Sequence, residues 1–165
     1  MRRRGRSIKK MLNTALGIGA GISAVLLTGA VAMPTPGYDP AALARIHAGS
    51  VDCAGCNLKG ADLTNTCVTA HDLHGANFDG ANATLMCMSA ANISGSSFRG
   101  TELSGANLAG AKMAGADLTG AHTSITSFAG TDLSHVKGLT QSQLDIACSD
   151  ANTKLPAGLK IHTCE

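Results

Sequence analysis

Aromatic side chains are nearly missing from this chain: no Trp, one Tyr and three Phe among 165 residues. An ordinary globular core draws on bulky aromatics, so their scarcity points to a narrow core of small and medium side chains. Gly, by contrast, is plentiful at 20. Acidic residues are absent from positions 1–32, which hold Arg2, Arg3, Arg4, Arg6, Lys9 and Lys10. The formal charge of +2 therefore averages two unlike segments. From Met33 onward seven Lys and Arg stand against all eleven Asp and Glu, a net charge of −4. The basic run is no ground for nucleic-acid binding, and no nucleic-acid partner is expected.

The cationic run precedes an apolar stretch from Met11 to Ala32 that ends in Ala30-Val31-Ala32. That order is the pattern of an export signal with its cleavage site. The stretch is about long enough to span a bilayer. Its four Gly (Gly17, Gly19, Gly21 and Gly29) and the good cleavage pattern favour removal, with the mature chain starting at Met33. No Cys lies near the cut to carry a lipid. No membrane attachment is expected after cleavage. The six Cys, an even number, suit an oxidising compartment. The expected location is periplasmic or secreted.

From Leu58 to Leu133 a period of five runs without insertion. Its centres are Leu58, Leu63, Val68, Leu73, Phe78, Ala83, Met88, Ile93, Phe98, Leu103, Leu108, Met113, Leu118, Thr123, Phe128 and Leu133. All but Ala83 and Thr123 are large and apolar, and these fourteen form the expected core. Two residues before each centre sits a small residue, except at His71 and Met86. Two residues after it, Gly recurs ten times. A helix of period 3.6 cannot use that spacing, and each interior Gly would cost it about 1 kcal/mol. A coil with one corner per repeat can, with Gly easing the corner.

Ala61-Asp62-Leu63, Ala76-Asn77-Phe78, Ala106-Asn107-Leu108 and Ala116-Asp117-Leu118 resemble the pentapeptide-repeat family, whose unit is A-(D/N)-L-x-x. The opening Cys53-Ala54-Gly55-Cys56 and the ending from Gly138 to Cys164 are similar to exported bacterial members. The resemblance implies an all-β fold, a right-handed quadrilateral β-helix with four repeats per coil and so about four coils. Residues twenty apart then become neighbours at the usual strand spacing of about 4.8 Å. This register stacks Leu58, Phe78, Phe98 and Leu118 inside one face. Outside it runs Lys59, Asp79, Arg99 and Thr119, and Lys112 comes next to Asp132 on the fourth face. Asp39 and Pro40 read as the start of a capping helix over 40–48 that stops at Gly49. Thr140 and Gln143 read as a capping box opening a helix from 141 to about 147. The expected organisation is an export signal over 1–32, a linker and capping helix over 33–52, the solenoid over 53–137, and a capping helix with a tied tail over 138–165.

In that register Cys67 and Cys87 lie one above the other, within the Cα range of a disulfide. Cys148 and Cys164 flank the tail and are expected to tie it down. Cys53 and Cys56 remain. A structural pair is the expectation. A thiol redox pair is the alternative, and metal binding is the third, though no further ligands are spaced to complete a zinc site.

His71 replaces a small inward residue and reads as a local packing distortion. His122 stacks over Glu102, expected as a surface ion pair, since no nucleophile accompanies it for acid–base chemistry. Leu85 and Ile125 follow the weak centres Ala83 and Thr123 on one face. Either a register bulge swings them inward, or they form an exposed apolar strip that touches a partner. The functional expectation is a non-enzymatic structural or protein-interaction module without cofactor or metal, meeting an unknown protein partner in the cell envelope. Some members of the resembled family imitate DNA and inhibit DNA gyrase. A net charge of −4 interleaved with Lys59, Arg99 and Lys112 makes that topoisomerase-inhibitor reading remote. Mass analysis of the protein recovered from its host is expected to start at Met33; retention of Met1 would make residues 1–32 an anchor.

Overall fold

A computed structural model describes residues 36–49 and 52–164. The export signal, its Ala30-Val31-Ala32 site and the Met33 start lie outside the described residues. The repeats build a solenoid of parallel bridges between residues twenty apart. Four ladders run along it. The first joins Asn57, Asn77, Ser97, Asp117 and Lys137; the second joins Asp62, Asn82, Glu102 and His122. The third joins Cys67, Cys87, Asn107, Ser127 and Cys148; the fourth joins Asp72, Asn92 and Lys112, and further on Asp132 with Lys154. Each rung is locked from both sides. Leu58 N–H donates to the Asn77 carbonyl at 2.7 Å, and Asn77 N–H to the Cys56 carbonyl at 2.8 Å.

Every corner is a tight turn. In the first, Ala61 N–H donates to the Leu58 carbonyl at 3.0 Å, and Gly60 between them has φ +69°. A positive φ at the third residue is the type II requirement, which Gly meets without steric cost. Where the repeat has no Gly, Asn65, Ala70, Leu85, Ala90 and Ile125 take the left-handed conformation instead.

The corners turn each centre inward. All fourteen large centres are at most 1% exposed, and Ala83 and Thr123 are buried with them. Met86, fully buried, follows the smallest centre, Ala83, and supplies volume that Ala83 lacks. Phe78 and Phe98 stack with ring centroids 4.6 Å apart and planes 3° apart, a contact worth about 0.5–1.5 kcal/mol beyond its burial. Polar residues enter this core only with a partner. The hydroxyls of Ser96, Thr101, Thr126 and Thr131 donate to the carbonyls of Leu73, Phe78, Leu103 and Leu108 one rung below, at 2.6–2.9 Å. Such a group left unsatisfied would cost about 1–3 kcal/mol.

At the first rung, helix α1 spans Pro40–His47. Asp39 caps it, its carboxylate accepting from Ala41 N–H at 2.9 Å. Ala42 and Ile46 are buried in the solenoid's core, and Asp39 N–H donates to the Asn57 carbonyl at 2.8 Å. At the far end, helix α2 spans Gln141–Leu144. The Gln143 amide donates to the carbonyls of Leu118 and Ala121 at 2.8 and 2.9 Å, and Leu144 is buried. Helix α2 is shorter than the expected 141–147. Beyond Asp145 the chain returns to the ladders instead, with Ile125 N–H donating to the Ile146 carbonyl at 2.6 Å. The strands β1, Cys148–Ser149, and β2, His162–Thr163, then pair in parallel.

Lys112 and Asp132 line one groove, as neighbours on the fourth face; the carboxylate's ion pair goes to Lys154 from the tail, with Nζ 3.1 Å away. One side-chain expectation is corrected: His71 does not distort the interior. Its side chain stays 39% exposed and turns to Asp52, 3.7 Å away.

Where the chain leaves the solenoid, Gly138 at φ +69° passes so close to Thr119 that an added Cβ would lie 2.7 Å from both its Cα and its N. Gly60 has the same φ and nothing within 4 Å. Gly60→Ala is expected to cost only the left-handed penalty of about 1–2 kcal/mol. Gly138→Ala is expected to cost about 1–3 kcal/mol more through overpacking. Urea unfolding of both variants checks the difference; equal losses would show that the crowding at Gly138 relaxes freely.

Candidate functional site

The second ladder carries the most unusual surface. Leu85 and Ile125 occupy corners on it two rungs apart, both with positive φ (+57° and +56°). They are not swung inward: Leu85 is 53% exposed and Ile125 78%. The bulge reading therefore fails. The corner turns keep their register because Met86 and Thr123 occupy the interior that a bulge would have filled. Between the two lies Gly105, and a Cβ there would meet Leu85 Cδ2 at 2.6 Å, so the Leu85 side chain lies across it. Ile146 continues the line through its carbonyl bond to Ile125 and is itself 54% exposed. Leu85, Ile125 and Ile146 are the large exposed apolar residues of the described chain. Ile146 escaped the sequence reading because it lies outside the period of five. Its only signal is its place twenty-one residues after Ile125.

Along this line runs a groove lined by Glu102, Ser104, His122, Ser124 and Ile146. Glu102 and His122 are ladder neighbours, yet the expected ion pair between them does not form. Glu102 curls back instead onto its own turn, accepting from Ser104 N–H at 3.0 Å and from the Ser104 hydroxyl. The serine thus donates to the carboxylate from within the same turn, and the His122 ring is left out of that bond.

That curl is general. Where the residue before a centre is Asn, Asp or Glu, it accepts from the backbone N–H two residues on, as Asn57 does from Lys59, Asn77 from Asp79 and Asn107 from Ala109, at 2.9–3.2 Å. Where the residue is Asp, the same donors stabilise its charged form. The Thr64 hydroxyl holds Asp62 below the ordinary carboxylate range, His74 does so for Asp72, and the Thr119 hydroxyl for Asp117. The Gly130 N–H lowers Asp150. Asp132 goes furthest, to about 2, through the Ser134 hydroxyl and backbone and then Lys154.

The six cysteines meet in three pairs within bonding distance. Cys53 faces Cys56, Cys67 faces Cys87, and Cys148 faces Cys164, with Cα separations of 5.4, 4.4 and 4.9 Å. Among the described residues no cluster of His, Cys, Asp and Glu is arranged to hold a metal.

A repeating unit of five residues, four ladders and one corner per unit define a solenoid of pentapeptide repeats. The family model for pentapeptide repeats matches residues 56–95 and 87–122, in eight copies. Residues 56–122 are thus a run of pentapeptide repeats, and proteins of that family fold as right-handed quadrilateral β-helices. Among solved structures it is similar to HetL, a pentapeptide repeat protein involved in heterocyst differentiation regulation from the cyanobacterium Nostoc sp. strain PCC 7120. That match has 21% identity over 66% of this chain and 54% of HetL, with a TM-score of 0.41. It is also similar to a pentapeptide repeat protein from the Arabidopsis thaliana thylakoid lumen, at 22% identity over 62% of this chain and 59% of that one, TM-score 0.30. A third is QnrB1, a plasmid-mediated fluoroquinolone resistance protein, at 16% identity over 66% of this chain and 78% of that one, TM-score 0.21. The chain thus spans little more than half the length of the first two. Comparison with curated proteins finds no match.

The lowered carboxyls make stability depend on acid. Each has a folded pKa below its unfolded value of 3.8, so its contribution is complete above that value and is lost as pH falls, for Asp132 down to about 2. The thermal midpoint is expected to hold from about pH 7 to pH 5 and to fall below about pH 4. Asp132→Asn, which keeps the turn's acceptor oxygen, is expected to flatten the lower part of that fall. Circular-dichroism melts across this range check it; a midpoint independent of pH below 4 would contradict the turn bonds.

Proposed function

We propose that the chain is an exported, non-enzymatic module that scaffolds or binds a protein partner in the cell envelope, in the periplasm or outside the cell. Members of the family are generally structural or interaction proteins. The N-terminal charge pattern supports export, and three cysteine pairs support an oxidising compartment, where they close as disulfides. Helices α1 and α2 act as covers for the two ends of a four-coil stack, which open edges require.

The observation that carries the binding reading is the apolar line Leu85–Ile125–Ile146. An Ile held left-handed costs about 1–2 kcal/mol, and at 78% exposure Ile125 recovers none of it by packing inside the chain. Strain kept at an exposed apolar position marks a contact site. A DNA-mimicking surface asks instead for unopposed acid, whereas Arg99 binds Asp117 at 2.9 Å and Lys154 binds Asp132 at 3.1 Å.

The test is a photo-crosslinker at position 125 in intact cells, with position 59 on another face as control. One discrete envelope partner captured at 125 and absent at 59 is the expected result. Equal labelling from both faces, or none, would remove the binding reading. With the crosslinker moved to position 85, Ile125→Gly is expected to abolish the capture while raising stability by up to about 1 kcal/mol, because glycine takes that φ without strain. Loss of stability would mean that the Ile side chain serves the fold.

A further inference from the structure

Arg45, in the last turn of α1, points its guanidinium at the Cys53–Cys56 pair. Its Nη2 lies 3.8 Å from each sulfur. None of the ion pairs among the described residues includes Arg45. The two nearest acids in sequence are engaged elsewhere: Asp39 accepts from Ala41 N–H at 2.9 Å, and Asp52 accepts from Asp72 N–H at 3.0 Å and sits 3.7 Å from His71. Neither of the other two cysteine pairs has a cationic donor on its sulfurs among the described residues; Cys164 meets only the Ser127 hydroxyl, at 3.7 Å.

A guanidinium gains little from a disulfide, whose sulfurs are neutral and weak acceptors. It gains much from a thiolate, which carries a full charge. A fixed cation at this place therefore favours the reduced, ionised pair over the oxidised one. A dithiol whose reduced form is stabilised makes a more oxidising disulfide. The two sulfurs also differ in access. Cys53 is 3% exposed, whereas Cys56 is only partly buried. An incoming thiolate reaches Cys56 first, which leaves Cys53 as the departing sulfur beside the guanidinium.

We propose that Cys53–Cys56 is a thiol–disulfide exchange site that takes electrons from a dithiol, with Arg45 as its positioning residue. One thiolate of the dithiol attacks Cys56 Sγ, forming a mixed disulfide. The Cys53–Cys56 bond breaks, and Cys53 leaves with the electron pair as a thiolate held by Arg45. The second thiolate of the dithiol then attacks its own partner sulfur in the mixed disulfide and releases Cys56, which takes a proton from solvent. Two electrons pass from the dithiol, now a disulfide, to the cysteine pair. The two protons of the dithiol go one to Cys56 and one to solvent. The site stands apart from the apolar line and does not depend on it.

The full chain, oxidised, is equilibrated with mixtures of reduced and oxidised dithiothreitol, alkylated and mapped by mass. Cys53 and Cys56 are expected to become reduced together at poises that leave Cys67–Cys87 and Cys148–Cys164 oxidised. Arg45→Gln is expected to lower the equilibrium constant for reducing the pair about tenfold, the equivalent of one pKa unit of thiolate stabilisation. Arg45→Lys, which keeps the charge, is expected to restore most of it, an effect that a purely structural role for Arg45 would not give. Reduction of all three pairs at one poise, or an unchanged constant in Arg45→Gln, overturns the proposal. Should Arg45→Gln lose its circular-dichroism signature, the order of reduction in the unaltered chain and the constant of Arg45→Lys decide instead.

Discussion

The described fold hangs on the backbone hydrogen bond that twelve of the sixteen centre residues make to the carbonyl nineteen residues further on, as from Leu58 to Asn77 and from Phe78 to Ser97. That bond sets the rung. It needs a chain that turns once every five residues, and the turn needs a left-handed residue at a fixed place. A slip of one residue would put the left-handed corner on a side chain that resists it and would turn every centre to solvent. Corner and core thus enforce one register from two directions.

The same bond explains why so plain a composition suffices. A rung is narrow and takes one large side chain per repeat, except where Met86 joins Met88 beside the small Ala83, so a core of Leu, Val, Met, Ile and three Phe fills it. Ser and Thr fit at the small inward positions because a carbonyl always waits one rung below, as Leu73 does for Ser96. Asn and Asp fit at the ladder positions because the turn offers them an N–H. The motif is thus a statement of which side chains can satisfy a buried or turning backbone.

Much of this was legible in the sequence, since the period of five is local and every repeat repeats the same solution. The corner glycines and the Asp39-Pro40 start of α1 belong to that local grammar. What was not legible arises where distant segments meet. The end of α2 at Leu144 depends on Ile146 returning to Ile125. The partner of Asp132 depends on where the tail lays Lys154. Glu102 prefers its own turn to its ladder neighbour His122, a choice that spacing does not decide. Arg45 gave no sign of its role, because eight residues and the end of a helix separate it from Cys53. On the candidate surface, Leu85 and Ile125 were visible as exceptions to the corner rule, whereas Ile146 was hidden by the change of period after Leu133.

A stack whose layers touch only their neighbours frays from its extremities, like a zipper without stops. The cysteine pairs fall where such fraying would start. Cys53 and Cys56 lie at the entry to the first rung, Cys67 and Cys87 tie the first rung to the second, and Cys148 and Cys164 bind the last strand to the tail. The long middle from Met88 to Ala147 has no such tie and needs none, since a layer with neighbours on both sides opens only after one of them has gone.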